Sequence, residues 1–246
     1  ALWVYDFLAG VRSKERRRML GKDTTKKTEP LLDTSKLLGG GLYYEYRTDD
    51  ARLTIENIKK AVEHGAVCIN YAKFVKPIYE NSKIAGAEIE DVIHNTNFEL
   101  RAKCVVNATG PWVDQIRKKD NSLKGKRLQL TKGVHLVLPY VKLPLKQAIY
   151  FDVKDGRMIF AIPRQGKTYV GTTDTVYNKL INEPITSKDD VKYILKAVNN
   201  MFPTVALKPR HVESSWAGLR PLIHEDGKSP SELSRKDEIF ESESGL

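Results

Sequence analysis

The rhythm of apolar and polar positions changes several times along this chain, and each change predicts an element. Ala51, Ile55, Ile58 and Val62 repeat at helical spacing. Asp49 or Asp50 stands where it caps that helix, and Gly65 where it closes it. "AVCIN", 66–70, is a short and mostly apolar run, the pattern of a strand covered on both faces. From 72 to 102 the pattern alternates and predicts an antiparallel meander. "NSK" makes one turn and "HNTN" another, with Ile84, Ala87 and Ile89, then Phe98, Leu100 and Ala102, on strands. "CVVNA", 104–108, is continuously apolar and predicts entry into a buried sheet.

From 128 onward strands dominate: "LQLTKGVHLVLP", "QAIYFDV", "RMIFAIPR" and "TYVGTT", with "KDG" and "RQGK" as hairpin turns. One helix interrupts them. Ser187 and Asp190 fit an S-x-x-D capping box, and Val191, Ile194, Leu195 and Val198 make the apolar stripe behind it. Pro203 ends that helix, and "HVESSWAGLRPL" is one more strand leading to a loop. At the other end, residues 1–20 read as a helix closing near Gly21, and 22–38 as a polar connection. Tyr43, Tyr44 and Tyr46 read as a strand, with three glycines before it that suit a bend or a close approach. The expected class is α/β with α+β character. A piece of an α/β domain spans about 49–112, interleaved with a mostly antiparallel sheet with helices from 1–48 and 113–225.

Composition adds little to this picture and charge adds something. Of 246 residues, 41% are hydrophobic and 29% charged, as in an ordinary globular protein. No apolar run approaches the ~20 residues that cross a bilayer. The N-terminal apolar stretch precedes a positive run, the reverse of a signal peptide. Beginning at Ala1 and stopping at Leu246, the chain reads as an internal piece of a longer one. Cys68 and Cys104 each lie in an apolar run and are expected to be buried, reduced thiols. The net charge of +10 gathers in Arg12–Lys27 and Arg117–Lys132. Such a balance suits an anionic small substrate, anionic lipid or nucleic acid. No nucleic-acid motif accompanies it, and a solvated helix end is the plainer reading of "RSKERRRMLGK".

Five stretches carry candidate chemistry. "ATGPW", 108–112, stands where a strand stops and a helix begins. Ligands of α/β sheets bind beyond the carboxyl ends of strands. Gly110 permits close backbone approach, and Pro111 suits a first helical turn whose free N–H groups favour negative charge. On composition alone it is equally a plain turn. His135 lies on a strand among apolar residues. Such a histidine is usually structural, yet its side chain is the one best matched to proton transfer near neutral pH. Lys132 adds positive charge three residues earlier. Arg220, between Gly218 and Pro221, and Arg235 offer planar forks for a carboxylate or phosphate. Thr172, Thr173 and Asp174 are equally ligand contacts or turn caps. The chain has no P-loop, no H-E-x-x-H and no G-x-G-x-x-G, and "LGGGL" precedes a strand rather than following one.

Taken together, "DDARLTIENIKKAVEHGA", "VVNATGPWVDQI", "LTKGVHLVLP", "YVGTTDT" and "WAGLRPL" resemble the flavin-dependent glycerol-3-phosphate dehydrogenases and oxidases of bacteria and mitochondria. Order and spacing match across nearly the whole chain. The resemblance implies an FAD-binding α/β domain assembled from separated segments, and an antiparallel substrate domain that caps the flavin. The cap would comprise 1–48 and 113–225, the FAD domain 49–112, and 226–246 would return towards the FAD domain. Ala108, Thr109, Gly110, Pro111 and Trp112 would lie beside the flavin. His135 would be the catalytic base or hydroxyl-orienting group, with Arg220, Arg235 and Lys132 binding substrate. The family's N-terminal G-x-G-x-x-G and its C-terminal glycine-lysine-threonine segment are not in this sequence. That implies an inactive isolated fragment with most of its FAD site elsewhere.

The expected reaction is oxidation of sn-glycerol 3-phosphate to dihydroxyacetone phosphate, with hydride passing to FAD and then electrons to quinone or oxygen. The expected setting is cytoplasmic, with peripheral contact at the inner face of the cell membrane through the N-terminal region and no nucleic-acid partner. Oligomeric state is left open. Two other readings stand beside this one. The first is a related FAD enzyme acting on a 2-hydroxy acid or amino acid, and the second is a non-catalytic basic module that binds lipid or nucleic acid.

Overall fold

The computed structural model of the chain describes residues 15–172, 174–224 and 238–246. The described chain forms two units. One comprises 15–43, 110–112 and 125–224; the other comprises 44–109, 113–124 and 238–246. The stretch 113–124 therefore falls with the second unit, past the boundary expected at 112. Among the described residues, no helix is long and apolar enough to cross a membrane.

The first unit is built on a six-stranded antiparallel sheet. Its strands are β6 (Leu128–Pro139), β7 (Ile149–Asp152), β8 (Met158–Arg164), β9 (Lys167–Gly171), β10 (Thr175–Val176) and β11 (Ser214–Ile223). They lie in the order β10-β6-β9-β8-β7, with β11 on the other edge of β6. Period-two alternation decides which face is buried. Val134, Leu136 and Leu138 of β6, Ile159 and Ala161 of β8 and Val170 of β9 point into the core. There they meet α4 (Lys188–Met201) through Ile194, Leu195, Ala197 and Val198. The expected capping box starts that helix: Ser187 Oγ accepts from Asp190 N at 3.2 Å, and Asp190 Oδ2 accepts from Ser187 N at 2.8 Å. Phe202 closes the core beneath it. "RQGK" turns through Gln165 and Gly166, both at positive φ, as a two-residue hairpin requires.

The N-terminal reading needs correction. Residues 1–14 lie outside the described residues. Arg18–Gly21 is a strand, β1, and Lys22–Thr28 a helix, α1, where a helix and a polar connection were expected. β1 pairs with β2 (Gly39–Leu42), so the second strand occupies the glycines and ends before Tyr43. The reason is steric. A Cβ at Gly39 would overlap Leu20 O, and one at Gly40 would lie 3.0 Å from Thr25 Cγ2, so only glycine allows this ribbon to close.

In the second unit the helix expected after Asp49 is present as α2 (Asp50–Glu63), with Asp49 Oδ1 accepting from Arg52 N at 3.1 Å. The expected meander is β3 (Ala72–Glu80), β4 (Lys83–Asp91) and β5 (Thr96–Arg101), turning at Asn81 and Ser82, both at positive φ. α3 (Val113–Lys119) packs beside β3. Just after α3, Asp120 accepts from Tyr79 Oη at 2.7 Å and from Ser244 Oγ at 2.6 Å, while Ser244 O accepts from Ile84 N at 2.8 Å. This network ties the 238–246 segment to the meander.

Two strands expected here do not form. Residues 66–70 and 104–108 are irregular, and Val67, Ile69 and Val106 are exposed. Cys68 and Cys104, expected to be buried, are exposed as well. A strand needs a neighbour for its backbone groups, and the described residues bring none to either segment. Leu53, Ile55, Ile58 and Val62 of α2 are likewise uncovered.

Candidate functional site

The face of the six-stranded sheet turned away from α4 carries His135. Its position follows from the ladder. In β6, Val134 and Leu136 point to the core, so His135 points to the opposite face. Its partners across the sheet are Gly171 of β9 and Trp216 of β11. The His135 and Trp216 rings stack at 4.8 Å with 9° between their planes, and Tyr169 meets His135 edge-on at 6.5 Å. Gly171 makes room for the imidazole. A Cβ there would overlap His135 Cδ2 and lie 2.7 Å from both His135 Nε2 and Val134 O. Farther along the same face Tyr150 and Phe160 stack at 4.1 Å. Trp216, Tyr150 and Phe160 are half-exposed, so this face is an open aromatic platform.

Burial holds the His135 pKa below its ordinary value, and the Arg220 guanidinium lowers it further, while Asp174 opposes both. The imidazole is therefore biased to its neutral, proton-accepting form. Arg220 lies opposite Thr131 in the β6–β11 ladder, four residues from the His135–Trp216 pair and on the same face. That separation is about 13 Å along the strand, which the long arginine side chain shortens. Between the two ends the ladder pairs Gly133 with Gly218. A Cβ on Gly218 would meet nothing within 4 Å. Gly218 thus leaves a hollow open on this face between a histidine and a tryptophan at one end and an arginine at the other, while Thr172 Oγ1 sits over Gly133. Thr172 borders it, since a Cβ on Gly133 would lie 2.6 Å from Thr172 Oγ1.

Arg220 lies inside β11, which continues to Ile223. Its Nη1 donates to Asp174 Oδ1. Lys132 is not brought to this face. It is buried on the core side, where Nζ donates to Asp190 Oδ2 at 2.5 Å and to Ile185 O at 3.2 Å. A shift of three residues on a strand reverses the face, which explains why Lys132 and His135 part company. Arg235 and Thr173 lie outside the described residues.

Of the strand-to-helix turn expected at Ala108–Trp112, the helix forms and the strand does not. Asn107 Oδ1 accepts from Thr109 Oγ1 at 2.7 Å, and Asn107 Nδ2 donates to Val113 O at 3.0 Å, which pins the irregular chain at its entry into the helix. Gly110 has φ +55°, and nothing lies within 4 Å of where its Cβ would stand. Gly110–Trp112 forms a 3-10 turn belonging to the first unit, where it packs beside β11, and Trp112 Nε1 donates to Asn182 Oδ1 at 3.0 Å. Ala108 is exposed. Elsewhere in the first unit, a cleft of about 710 Å³ opens at the Arg127–Leu130 end of β6, with Lys179 and His224 on its wall. His224 Nδ1 lies 2.9 Å from Gln129 Oε1 there. Among the described residues no cluster of His, Cys, Asp and Glu side chains is arranged to hold a metal ion.

Sequence reasoning missed Trp216, Tyr169, Tyr150, Phe160 and the Gly133–Gly218 pair. Part of their signal was available: the "KDG" and "RQGK" turns fix the register that puts Tyr150, Phe160 and Tyr169 on one face, but only the long-range pairing of β6 with β9 and β11 brings that face to His135, Trp216 and the glycines.

Comparison with known proteins places these features in a family. The family model described as "FAD dependent oxidoreductase" matches residues 4–235. The chain is 58% identical, over 245 residues and its full length, to the aerobic glycerol-3-phosphate dehydrogenase of Bacillus subtilis, of which it covers 44%. The glycerol-3-phosphate dehydrogenase of Bacillus halodurans, solved in complex with FAD, superposes with a TM-score of 0.85 at 55% identity. That match covers 93% of this chain and 44% of the other. Glycine oxidase from Bacillus cereus shares the fold, with a TM-score of 0.66 at 21% identity over 89% of this chain and 57% of its own. The chain thus spans less than half the length of the glycerol-3-phosphate dehydrogenases it matches.

Proposed function

We propose, from the premise that this chain belongs to the FAD-dependent oxidoreductase family, that it is the substrate-facing part of an enzyme oxidising sn-glycerol 3-phosphate to dihydroxyacetone phosphate. The observation that carries this reading is the two-ended hollow: a neutral-biased histidine at one end, an arginine at the other, and an open glycine, Gly218, between them. Residues of the chain also fit a flavin. The half-exposed rings of Trp216, Phe160 and Tyr150 offer a flat apolar face, and the open backbone at Gly110 admits a flat group. When bound, FAD supplies the hydride acceptor. The chain's own residues supply the rest. Arg220 grips the substrate phosphate through charge-assisted hydrogen bonds, with Arg235 proposed as a second clamp. His135 takes the proton from the C2 hydroxyl as the C2 hydrogen departs as hydride, which leaves a ketone. Gripping the phosphate fixes C2 within reach of its acceptor, so the clamp contributes to rate as well as affinity. The electrons would then pass to quinone or oxygen.

The test uses the enzyme at full family length, held anaerobic. Glycerol 3-phosphate should bleach the flavin absorbance. Arg220→Ala should raise the substrate Kd severely, and His135→Gln should slow bleaching and flatten its rise with pH. A yellow protein that ignores glycerol 3-phosphate but bleaches with a 2-hydroxy acid or amino acid would overturn the substrate. A normal Kd in the Arg220→Ala variant would remove the clamp.

A further inference from the structure

Arg220 does not stand alone in the hollow. Its partner Asp174 comes from the other side of β6. Arg220 belongs to β11, on one edge of that strand, whereas Asp174 lies in the link from β9 to β10, on the other. The ladder places Leu219 and Thr175 both opposite Lys132, so their neighbours Arg220 and Asp174 reach across β6 beside Gly133. Neither Gly133 nor Gly218 puts a side chain in the way. Asp174 adopts φ +43°, a left-handed conformation that aspartate enters more readily than most residues. The backbone is thus bent to aim a carboxylate at the clamp.

We propose that Asp174 is a positioning residue for the substrate clamp: its carboxylate holds Nη1 of Arg220 so that the remaining guanidinium N–H groups face the hollow and meet the phosphate of the substrate. The inference rests on the reading that Arg220 binds that phosphate. A guanidinium is a rigid planar fork of five donors. Fixing one nitrogen on a carboxylate fixes the plane in which the others point. Asp174 does a second thing as well. Among the described residues, the titratable or charged groups facing His135 are Arg220 from β11, Asp174 after β9 and Tyr169 from β9. Of these, Asp174 raises the imidazole pKa against burial and Arg220. One carboxylate therefore couples the clamp to the base.

The experiment uses the full-length enzyme and the variants Asp174→Asn, Asp174→Glu, Arg220→Ala and the Asp174→Asn/Arg220→Ala pair. Asp174→Asn should raise KM for glycerol 3-phosphate about tenfold while kcat stays within about threefold, the scale of one charge-assisted contact. The acid limb of kcat/KM should move to lower pH, because the carboxylate that raised the His135 pKa is gone. Asp174→Glu should recover much of the KM. In the Arg220→Ala background, Asp174→Asn should change KM no further. Calorimetric titration with inorganic phosphate should follow the same order across the variants. An unmoved KM and acid limb in Asp174→Asn would overturn the proposal, as would a full Asp174→Asn effect without Arg220. If wild-type enzyme is not reduced by glycerol 3-phosphate, or Arg220→Ala keeps its KM, the substrate reading itself fails and the proposal falls with it.

Discussion

Lys132 offers the sharpest test of the face assignment, because the family resemblance sends it to substrate and the fold sends it to the core. Its ammonium pairs with Asp190 with side chains only 11% and 8% exposed. Replacing Lys132 with Met keeps an apolar stem of similar girth and removes the charge. The Asp190 carboxylate then stays buried, without its cation but still bonded to Ser187 N and Oγ. Breaking a buried pair costs about 3–5 kcal/mol, and the surviving Ser187 bonds put this one at the low end. At about 2–4 °C per kcal/mol for a domain of this size, the expected fall in Tm is about 6–12 °C. Removing the partner carboxylate together with Lys132 should recover part of the loss, because an apolar pair often replaces a buried ion pair without penalty.

The assay is thermal unfolding of the full-length enzyme by calorimetry, read beside KM for glycerol 3-phosphate. Stability should drop and KM should hold. The acid side should change too. Burial pushes the Asp190 carboxyl up, but the bonds from Lys132 and Ser187 outweigh it and hold the pKa below its ordinary value. A depressed carboxylate contributes stability above its unfolded pKa of about 3.9 and loses it as pH falls through the folded value. The Lys132→Met variant should therefore lose part of its acid-dependent destabilisation below about pH 4. An unchanged Tm together with a raised KM would refute the reasoning and return Lys132 to the substrate.

Two further outcomes follow from single observations. Gly218→Val should fold normally, since its Cβ meets nothing and β-branched residues suit strands; it should raise KM by filling the hollow, and an unaltered KM would mean that substrate does not cross that hollow. The Tyr79 phenol is pushed up to about 12 by burial and by its bond to the Asp120 carboxylate. Stability that it contributes is whole below pH ~10 and is lost as pH rises through the folded value. Phenolate absorbance should show one tyrosine titrating late in the wild type and absent in Tyr79→Phe, and identical alkaline titrations would discount the Asp120 network.

What was legible in the sequence divides by the kind of neighbour an element needs. α2, α4 and the β3–β5 meander were readable because their signals are local: a capping aspartate, an S-x-x-D box, short polar turns. β6 was readable from end to end. Residues 66–70 and 104–108 carry an equally apolar pattern and form no strand, since apolar pattern reports a demand for burial and cannot supply the partner that satisfies it. The same demand left the two cysteines exposed. The β1–β2 ribbon was misread for the opposite reason. Its glycines look like a bend in sequence, but the close approach of Leu20 to Gly39 is what makes them a strand.

The site shows the same division. His135 and Arg220 were nameable because each is a chemically distinctive residue in a distinctive setting. Their relation was not nameable, because it depends on parity. On β6 an odd residue faces the hollow and an even one the core, so His135 and Lys132, three apart, serve different faces. On β11 the partner parity brings Trp216, Gly218 and Arg220 to the hollow together. Motif matching credits residues by proximity in sequence and would group Lys132 with His135. The ladder credits them by register and groups His135 with Trp216 and Gly171, and Arg220 with Asp174 across two glycines. Glycine is the residue that motif reading most readily dismisses, and here three of them, Gly133, Gly171 and Gly218, leave room for the His135 ring, for the Thr172 hydroxyl and for the open gap beside Arg220. A sequence that kept His135 and Arg220 but replaced those glycines would keep the two side chains and lose the space between them.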